Sequence, residues 1–450
     1  MNRRNFIKST AAAGIAATVV TGGNKLFASS TVGANDRVVL ALIGCGQRGL
    51  SCLINCCKTN SNVVVKTVCD VNRTKLSKAA ASIEKELGYR PATTGDMRTV
   101  LDDKDVIAVW IATPEHWHCP AGIRACEAGK DVYVEKNLSV NIRESRKLVE
   151  AAAKYSRVVQ MGFQNRSASQ GFSAREYIRD GKLGKIVTVK TYFMLGGGKW
   201  TELPDAPVPE WLDWENWLGP APYRPFNPSI VDENGRGGWQ RYWAYSGGLL
   251  DDEASHTLDF TRMVLGDPPH PKAVYGWGGN KAFGSESETY EFQSIIYDFG
   301  EYVITADGGP SLKYMAKAGG DIRNDKTRFP NWRNYSARVE IYGTEGLMYL
   351  GRHGGGWQVI GMNDRIVAED GAVFPDHAHQ KNFVDCIRSR RTPNGNIEEG
   401  HRSSTLVNLG NIACRVGNKM LRFDPATEKI INDPKANTLA QGIYRKGFKI

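Results

Sequence analysis

The segment SGGLLDDEASHTLDF, residues 246–260, places an acid and a histidine at a spacing suited to acid–base chemistry. Asp252 and His256 are four residues apart, so they share one face if the segment is helical. A histidine held by a carboxylate accepts a proton near neutral pH. Taken alone, the pair fits a metal site or a hydrogen-bonded core histidine equally well. A metal site needs further ligands, and the sequence offers no other close-spaced cluster of them, so we expect no metal.

Two further polar segments each follow a predicted strand. VYVEKN, residues 132–137, ends in Glu135, Lys136 and Asn137. A lysine at such a sheet edge donates to hydroxyl or carbonyl oxygens, and we expect burial to lower its pKa. ATPEHWHCP, residues 112–120, ends another strand. Each segment alone is equally consistent with surface charge. Because ligands of parallel sheets bind at the carboxyl ends of the strands, their joint position favours a binding site.

A G-x-G-x-x-G fingerprint, residues 44–49, follows the apolar run VVLALI. Glycines there allow a tight turn and a close approach of the backbone to a pyrophosphate at a helix N-terminus. The next predicted strand ends in Asp70, 21 residues past Gly49, where a carboxylate binds an adenosine ribose. That carboxylate repels a 2′-phosphate, so the sequence favours NAD over NADP, although Arg73 softens the preference. The alternative is a glycine turn in an α/β domain without a nucleotide. The predicted cofactor-binding residues are Gly44, Gly46, Gln47, Arg48, Gly49, Asp70, Thr113, Pro114, His116, His118, Glu135 and Lys136.

An alternation of strands and helices must position these segments on one sheet. The apolar runs are short and continuous, which is typical of strands buried on both faces of a parallel sheet. Amphipathic helices lie between them, among them Arg73–Leu87 and ESRKLVEAAAKYS. The pattern predicts an N-terminal Rossmann domain with a doubly wound parallel sheet. Its predicted strands are VVLALIG, VVVKTVCD, VIAVWIAT, DVYVEK and VVQMGF.

Beyond about residue 165 the predicted strands are longer and are separated by glycine and asparagine turns. They indicate a large, mostly antiparallel open sheet with helices on one side, such as Gly171–Asp180. The strands are IVTVKTYFML, EFQSIIYDFG, EYVITADGG, ARVEIYGTEG and LMYLGR, and two late helices are HAHQKNFVDCIRSR and HRSSTLVNLGNIACRVGNKM. We therefore predict an α/β protein with an NAD-binding Rossmann domain over 36–160, a C-terminal substrate and oligomerisation domain over 161–425, and a tail over 426–450.

The chain begins with a candidate export signal. RRNFIK, Arg3–Lys8, precedes a mild apolar run that is too short and weak to span a bilayer, and KLFASS then offers small residues for cleavage. This arrangement resembles a twin-arginine signal, so we expect residues 1–30 to direct export of the folded protein to the periplasm by that machinery. The alternative is an ordinary amphipathic N-terminal helix.

Composition excludes some other classes of protein. The net charge is +10, and four of these charges lie in the first 30 residues, which leaves about +6 without any basic block. This argues against a nucleic-acid-binding protein. The nine cysteines are odd in number and form no C-x-x-C pair, so they argue against a disulfide scaffold or a zinc site. We expect them to be small buried apolar residues.

Taken together, these motifs resemble the glucose–fructose oxidoreductase/inositol dehydrogenase (Gfo/Idh/MocA) family of oxidoreductases. The resemblance runs from about Asp36 to Asp424 and rests on the order of the glycine fingerprint, ATPEHWH, the E-K pair, the D-x-x-x-H segment and NFVDCIRSRRTP…GHRSS. It implies a dinucleotide-binding Rossmann domain, an α/β domain with a large open sheet, and a sugar or polyol site between them. By analogy it also implies a homodimer or homotetramer.

The resemblance also implies roles for three residues. Lys136 matches the family lysine that contacts the reacting hydroxyl, His256 the proton acceptor, and Asp252 the acid that precedes it. The chain departs from the family pattern at Asn137, which replaces a proline, and at Ala254, which replaces a glycine. In the family, that proline helps to set the backbone of the lysine. The chemistry implied is oxidation of a sugar hydroxyl, with His256 held by Asp252 and Lys136 stabilising the developing oxyanion.

An aromatic stretch favours a sugar as substrate. Six of the eleven tryptophans lie between residues 200 and 243. Flat rings pack against the apolar faces of pyranoses, although the same rings also serve to anchor a long loop. The strongest candidates for substrate contact are Trp239, Arg241 and Trp243.

The sequence therefore predicts an exported NAD-dependent oxidoreductase of a sugar or glycoside, with C3 as a candidate carbon. NAD is scarce outside the cytoplasm, so we expect the cofactor to be held tightly. One alternative is an NAD-dependent glycoside hydrolase that oxidises C3 transiently, eliminates the aglycone, adds water and returns the electrons. The other is a sugar-binding subunit without catalysis, which has no need for Lys136, Asp252 and His256 together.

Overall fold

A computed structural model describes residues 37–194, 198–231, 238–280, 282–309, 312, 314–417 and 419–448. The predicted leader, residues 1–30, lies outside the described residues. Residues 37–450 form one of the two compact units of the chain. No helix of the described ranges is long and apolar enough to cross a membrane.

The N-terminal strands form a six-stranded parallel sheet in the order β3-β2-β1-β4-β5-β6. The strands are β1 Val38–Ile43, β2 Val63–Cys69, β3 Ala92–Thr94, β4 Ala108–Ile111, β5 Asp131–Val134 and β6 Val159–Met161. Every residue of β4 and β5 is buried, as their continuous apolar runs indicate for strands covered on both faces. This confirms the predicted Rossmann sheet, whose strand order reverses beside β1 and opens a crevice for ligands there.

Helices cover this parallel sheet. They are α1 Gln47–Thr59, α2 Arg73–Leu87, α3 Met97–Asp102, α4 His118–Glu127 and α5 Ile142–Lys154. The predicted bounds of α2 are those observed, because local signals set both ends. Asn72 caps the first turn by accepting from the backbone N–H of Lys75, and Gly88 ends the helix in the left-handed region.

The C-terminal strands form a ten-stranded sheet in the order β14-β13-β12-β11-β7-β10-β9-β8-β15-β16. Among the described strands of this sheet, only β7 and β10 pair in parallel, so the predicted mostly antiparallel sheet is confirmed. The strands are β7 Ile186–Phe193, β8 Ala273–Gly279, β9 Phe292–Asp298, β10 Val303–Gly308, β11 Arg338–Gly343, β12 Leu347–Gly351, β13 Trp357–Ile360, β14 Ile366–Asp370, β15 Leu421–Asp424 and β16 Lys429–Ile430.

The helices of this region are α6 Ser169–Arg179, α7 Trp214–Leu218, α8 Pro228–Val231, α9 Ser255–Val264, α10 Gly320–Arg323, α11 Asp376–Ser389, α12 Ile397–Val416 and α13 Pro434–Gln441. Of these, α9 and α12 pack against the large sheet, whereas α11 packs against α1 of the Rossmann domain. All residues of α9 are buried, and a π-helical turn, Leu250–Ala254, leads directly into it. Turns of this kind often occur at functional sites because they change which side chains share a face.

All nine cysteines carry free thiols, and eight of them are buried. They pack as small apolar residues, mostly against β1, α1 and α4. The prediction that they are buried core residues is therefore confirmed for all but Cys57, which is half-buried.

Candidate active site

The carboxyl ends of β1, β2, β4 and β5 open into one cleft of about 1990 Å³. The π-helical turn before α9 and the loop after β12 contribute residues to the same cleft. Ligand pockets commonly reach about 1,000 Å³. The cleft therefore has room for a dinucleotide and a second molecule.

The glycine fingerprint forms the tight turn between β1 and α1. Gly44 has φ +92°, and a Cβ there would lie 2.6 Å from the carbonyl carbon of Ala112. At Gly46 a Cβ would meet no atom within 4 Å, so this backbone borders open space. The first turn of α1 has neither an acidic residue nor a side-chain cap. Its leading N–H groups therefore suit a pyrophosphate, and Gly46, Gln47 and Arg48 would hold it.

Asp70 lies at the end of β2 on the cleft wall. Its Oδ2 accepts from the backbone N–H of Cys45 at 2.7 Å, and its Oδ1 accepts from that of Asn72 at 2.8 Å. These two bonds hold the carboxylate in place beside the glycine turn. A carboxylate at the end of this strand, beside the glycine turn, is placed to accept from ribose hydroxyls, so the geometry suits NAD.

Changing Asp70→Ser is expected to alter the nucleotide that the protein carries. The change removes the charge that repels a 2′-phosphate, and Arg73 and Lys75 on the same wall then attract one. We expect the NADP-to-NAD ratio released by denaturation to rise by about tenfold or more. Asp105→Ser, a change at a highly exposed carboxylate, is the matched control. An unchanged ratio in Asp70→Ser would remove Asp70 from cofactor selection.

Some residues of the segment after β4 line the cleft, and others do not. Thr113, Pro114 and His118 line it. The ring nitrogens of His118 lie 2.6 Å from the carbonyl oxygen of Asn137 and 2.8 Å from that of Thr113, so this ring joins the ends of β4 and β5. His116 is not among the lining residues. It is buried against Trp217, whose carbonyl oxygen lies 3.0 Å from its Nε2, and burial lowers the pKa of His116 to about 4.

Arg48 and Glu135 link the glycine turn to the end of β5. The Arg48 Nε donates to Glu135 Oε1 at 3.1 Å. A second carboxylate, Asp376 at the start of α11, lies 3.8 Å from Arg48 Nη2. Both predicted cofactor residues therefore lie on the cleft wall in a joint ion pair.

Lys136 lies at the centre of the site and is paired with Asp252. Its ammonium donates to Asp252 Oδ1 at 2.6 Å and to the carbonyl oxygen of Asp252 at 2.7 Å. The lysine side chain is 14% exposed. Burial lowers the pKa of Lys136, but the charges of Asp252 and Glu115 outweigh burial, and the net effect raises this pKa. The expectation of a lowered lysine pKa is therefore wrong, and Lys136 is a cation at neutral pH.

His256 lies in the first turn of α9 and lines the same cleft. No hydrogen bond joins it to Asp252 in the described structure, so the predicted pairing of these residues is replaced by the Lys136–Asp252 pair. Its Nδ1 is buried without a partner among the described residues, and its ring contacts Phe163 at 5.9 Å. Burial, assisted by the positive charges of Arg352 and Lys136, holds the pKa of His256 well below its usual value. The imidazole is therefore neutral at pH 7.

Asn137, which stands where the family pattern has proline, is firmly held. Its Nδ2 donates to the carbonyl oxygen of Ser139 at 3.0 Å and to Asp251 Oδ2 at 3.3 Å. Asp251 in turn accepts from Asn411 at 2.7 Å and from the backbone of Gly247 at 2.9 Å. A Cβ at Gly247 would lie 2.1 Å from Asp251 Oδ1. This network joins the lysine segment to the π-helical turn.

Sequence reasoning missed several charged residues at the site. Glu115 lies in the quoted ATPEHWHCP segment, and burial together with the charge of Asp251 raises its pKa well above the usual range. Glu253 precedes His256 by three residues, and His353 Nε2 lies 2.9 Å from its Oε1. Arg352 Nε lies 3.9 Å from the same oxygen. Glu253 adjoins the predicted Asp252, so the sequence held a signal for it. No motif in the sequence pointed to Arg352 or His353.

Two family models match the chain. The description "Oxidoreductase family, NAD-binding Rossmann fold" matches residues 38–163, and "Oxidoreductase family, C-terminal alpha/beta domain" matches residues 183–301 and 355–450. The chain belongs to the Gfo/Idh/MocA oxidoreductase family. The predicted NAD-binding Rossmann domain and the predicted oxidoreductase family are thereby confirmed.

The similarity to individual family members is lower. A levoglucosan dehydrogenase of Pseudarthrobacter phenanthrenivorans is 27% identical over 276 residues, 59% of this chain and 60% of that one. A glycosyl hydrolase family 109 protein of Shewanella putrefaciens is 27% identical over 205 residues, 42% of this chain and 44% of that one. The matched regions thus span less than two thirds of the length of either relative.

A solved structure of levoglucosan dehydrogenase, in complex with NADH and levoglucosan, has the same fold. Its TM-score is 0.60 at 19% identity, and the match covers 86% of this chain and 99% of that chain. The likeness extends to both the Rossmann sheet and the large C-terminal sheet, since it covers nearly the whole of that chain.

The aromatic stretch of this family member mostly forms a small core of its own. Trp214 stacks on Trp217 at 4.8 Å, and Tyr245 packs edge-on against Trp217 at the same distance. Of the three predicted substrate contacts, Trp239 lines the cleft, whereas Arg241 and Trp243 are not among its lining residues. The Trp243 ring instead packs against Tyr290 at 5.4 Å. Buried members of the aromatic core are Leu212, Trp214, Trp217, Leu218, Ala221, Phe226, Ile230, Tyr242 and Tyr245.

One group of metal-ligating side chains occurs among the described residues, outside the cleft. His270, His401 and Glu428 bring their ligand atoms within 4.8 Å of one another. The guanidinium of Arg146 already donates to both oxygens of Glu428, at 3.1 Å and 2.6 Å. The arginine thus neutralises the Glu428 carboxylate, and we interpret the group as an ion-pair network.

Proposed function

We propose that this protein is an NAD-dependent oxidoreductase that interconverts a hydroxyl and a keto carbon of a sugar or glycoside. The observation that carries the proposal is the convergence of a lysine cation and a neutral histidine on one cleft with a dinucleotide-binding wall. Lys136 and His256 line the same space as Gly46 and Asp70. The levoglucosan dehydrogenase relative supports a carbohydrate as substrate, and C3 is our candidate carbon.

Lys136 has one N–H donor left for the substrate. An ammonium carries three N–H groups, and two of them are directed to Asp252. The remaining one can bind the reacting hydroxyl oxygen and stabilise the negative charge that develops there as the carbonyl forms. Because the pKa of Lys136 is raised, the lysine keeps its proton and acts as a donor.

His256 is the residue left to accept the hydroxyl proton. Its imidazole is neutral because its pKa is lowered, so a nitrogen lone pair is available. Bound NAD supplies the two-electron acceptor for the reaction. Loss of the O–H proton to His256, together with loss of the hydrogen on the same carbon with its bonding electron pair, would leave a ketone, and the reverse steps would reduce a ketone.

The C-terminal segment supports tight retention of NAD. Arg445, Lys446, Gly447 and Phe448 line the cleft. The backbone N–H of Arg445 donates to the carbonyl oxygen of Pro220 at 2.9 Å, and its guanidinium pairs with Glu215. A segment held at the wall of the cleft by these contacts is expected to slow the departure of a bound nucleotide. This suits our further proposal that the twin-arginine leader exports the protein to the periplasm with its cofactor already bound.

We also propose that the protein forms a homodimer or homotetramer through the large sheet. Tyr275 on β8 and Ile296 on β9 are directly paired, and both are exposed. Trp277, two residues along β8, is 53% exposed on the same face. Adjacent exposed aromatic and aliphatic side chains of this kind favour burial against a second subunit.

A second candidate function is NAD-dependent glycoside hydrolysis. The similarity to a glycosyl hydrolase family 109 protein favours it. In this reaction, oxidation at C3 acidifies the C2 proton, the aglycone is eliminated, water adds, and the electrons return to C3. Lys136 and His256 would serve the oxidation step in the same way.

The experiment that tests the proposal uses protein purified without added nucleotide. We expect denaturation to release stoichiometric NAD, and glycosides added to the intact protein to raise the absorbance of reduced nicotinamide. Lasting reduction supports the dehydrogenase. Release of aglycone without lasting reduction favours the hydrolase. Absence of any nucleotide would contradict tight retention, and absence of both reduction and aglycone release would contradict either enzymatic function.

A further inference from the structure

We propose that the substrate half of the cleft binds an anionic group of the sugar, a carboxylate or a sulfate ester, through Arg352, Arg323 and Lys317. These three residues, named here the basic cluster, all line the same cleft as Lys136 and His256. They belong to the C-terminal region of the chain, and none of them is part of the glycine turn that suits the pyrophosphate. The inference rests on the proposed function and specifies its substrate class.

Arg352 is the central member of the basic cluster. Its side chain is 4% exposed, and its Nε and Nη1 have no hydrogen-bond partner among the described residues. A guanidinium keeps its charge when buried, so it needs an acceptor. The acid next to it, Glu253, is 3.9 Å from Nε, beyond hydrogen-bonding distance. The buried donors are therefore left for a ligand.

The backbone holds Arg352 rigidly at this position. Its carbonyl oxygen accepts from Asn165 Nδ2 at 3.1 Å, and its N–H donates to the carbonyl oxygen of Ala337 at 3.3 Å. The next N–H, that of His353, donates to the Tyr335 hydroxyl at 2.9 Å. A donor held in place before the ligand arrives loses little conformational freedom on binding.

Positive charge exceeds negative charge around Arg352. The Arg352 and Arg323 guanidinium groups lie 5.2 Å and 4.4 Å from the centre of the Phe374 ring. Lys317 Nζ lies 3.8 Å from Glu253 Oε2. Among the described residues, no carboxylate lies within ion-pair distance of Arg323. Two acids near Arg352, Glu253 and Asp376, thus lie among four cations, Arg352, Arg323, Lys317 and Arg48, the last of which pairs with Asp376.

An anion on the sugar completes this arrangement. It would supply acceptors for the buried Arg352 donors and neutralise the excess charge. Lys136 and His256 would contact the reacting hydroxyl while the basic cluster holds an acidic substituent elsewhere on the same ring. A neutral glycoside leaves the Arg352 donors without acceptors, so it is expected to bind less tightly.

Matched glycosides test the inference by calorimetric binding to the full-length protein. The probes are methyl β-D-glucuronide and methyl β-D-galacturonide, each against its neutral methyl glycoside, and methyl β-D-glucoside 6-sulfate. We expect at least one anionic probe to have a dissociation constant about tenfold or more below that of its neutral partner. Tighter binding of the uronide assigns a carboxylate as the ligand, and tighter binding of the sulfated probe assigns a sulfate ester.

Substitutions identify the residues responsible. Arg352→Gln is expected to abolish the preference for the anionic probe over its neutral partner. Arg323→Gln changes a half-buried position and provides a second variant, in which the buried Arg352 is kept. Arg365→Gln, at an exposed position, is the matched control and is expected to behave like the unchanged protein. Equal binding of anionic and neutral probes in every pair, or a preference that survives both Arg352→Gln and Arg323→Gln, would overturn the inference.

The Lys136→Ala protein separates this inference from the proposed function. We expect it to retain the anion preference while losing reduction of NAD. If the unchanged protein prefers anionic probes but reduces no NAD with any of them, the anion site stands and the proposed reaction fails. If neutral glycosides are oxidised and bind as tightly as anionic ones, the reaction stands and the anion site fails.

Discussion

Replacing Lys136 with alanine is expected to slow the reduction of bound NAD by a glycoside about 10²–10³-fold. The change removes the cation that we propose to stabilise the developing oxyanion. It also frees the Asp252 carboxylate, which Lys136 contacts at 2.6 Å, to repel that charge. The measurement is the single-turnover rate of nicotinamide absorbance change at saturating substrate. A loss in this rate with unchanged nucleotide content assigns the effect to chemistry.

Two further variants make the Lys136 result interpretable. Lys381→Ala removes an exposed lysine from an α11 ion pair with Asp385 and is expected to match the unchanged protein. The double change of Lys136→Ala and Asp252→Asn restores the local charge balance if the single variant fails to fold. An unaltered single-turnover rate in folded Lys136→Ala would remove this lysine from the reaction.

Replacing His256 with glutamine is expected to slow the same step about 10²–10⁴-fold. Glutamine has a similar size and polarity but does not accept the hydroxyl proton. His256 is buried at the start of α9. The other described histidines that line the cleft are His118 and His353, and both are engaged in polar contacts with other residues. His377→Gln, at an exposed position on α11, is the control. A rate within about twofold of the rate of the control variant would exclude His256 as the base.

The pH dependence of the unchanged protein provides a separate test of His256. Its pKa lies well below the usual value because of burial and the charges of Arg352, Lys136 and Arg48, which outweigh the opposing charge of Glu253. A lowered pKa means that the imidazole stays neutral, and able to accept a proton, as the pH falls through about 6.5, where a free imidazole is half protonated. The reduction rate is therefore expected to be nearly constant from about pH 8 to 6. A loss centred near the ordinary histidine pKa would contradict this assignment.

Local patterns predicted the framework well. The apolar run before the glycine fingerprint, the acid at the end of the next strand, and the caps of α2 are all set by residues close in sequence. Periodicity and turn chemistry act over a few residues, so five of the six strands of the parallel sheet and five of the ten strands of the large sheet followed from them. The tail was harder to interpret, because its place along the cleft depends on contacts such as Arg445 with Glu215, far apart in the chain.

The sequence by itself determined the Rossmann sheet, the dinucleotide turn and the residue types that converge on the cleft, because each depends on local spacing. Only the tertiary structure decided how those residues pair. The spacing of Asp252 and His256 assumed an α-helix, but the π-helical turn at Leu250–Ala254 alters the facing of side chains, and Asp252 contacts Lys136 instead. The direction of the lysine pKa shift likewise depends on two acids more than a hundred positions apart in sequence, Glu115 and Asp252, whose charges outweigh burial. The basic cluster came from two loops and the short helix α10, segments that no local pattern connects to the active site, because packing alone brings them to it.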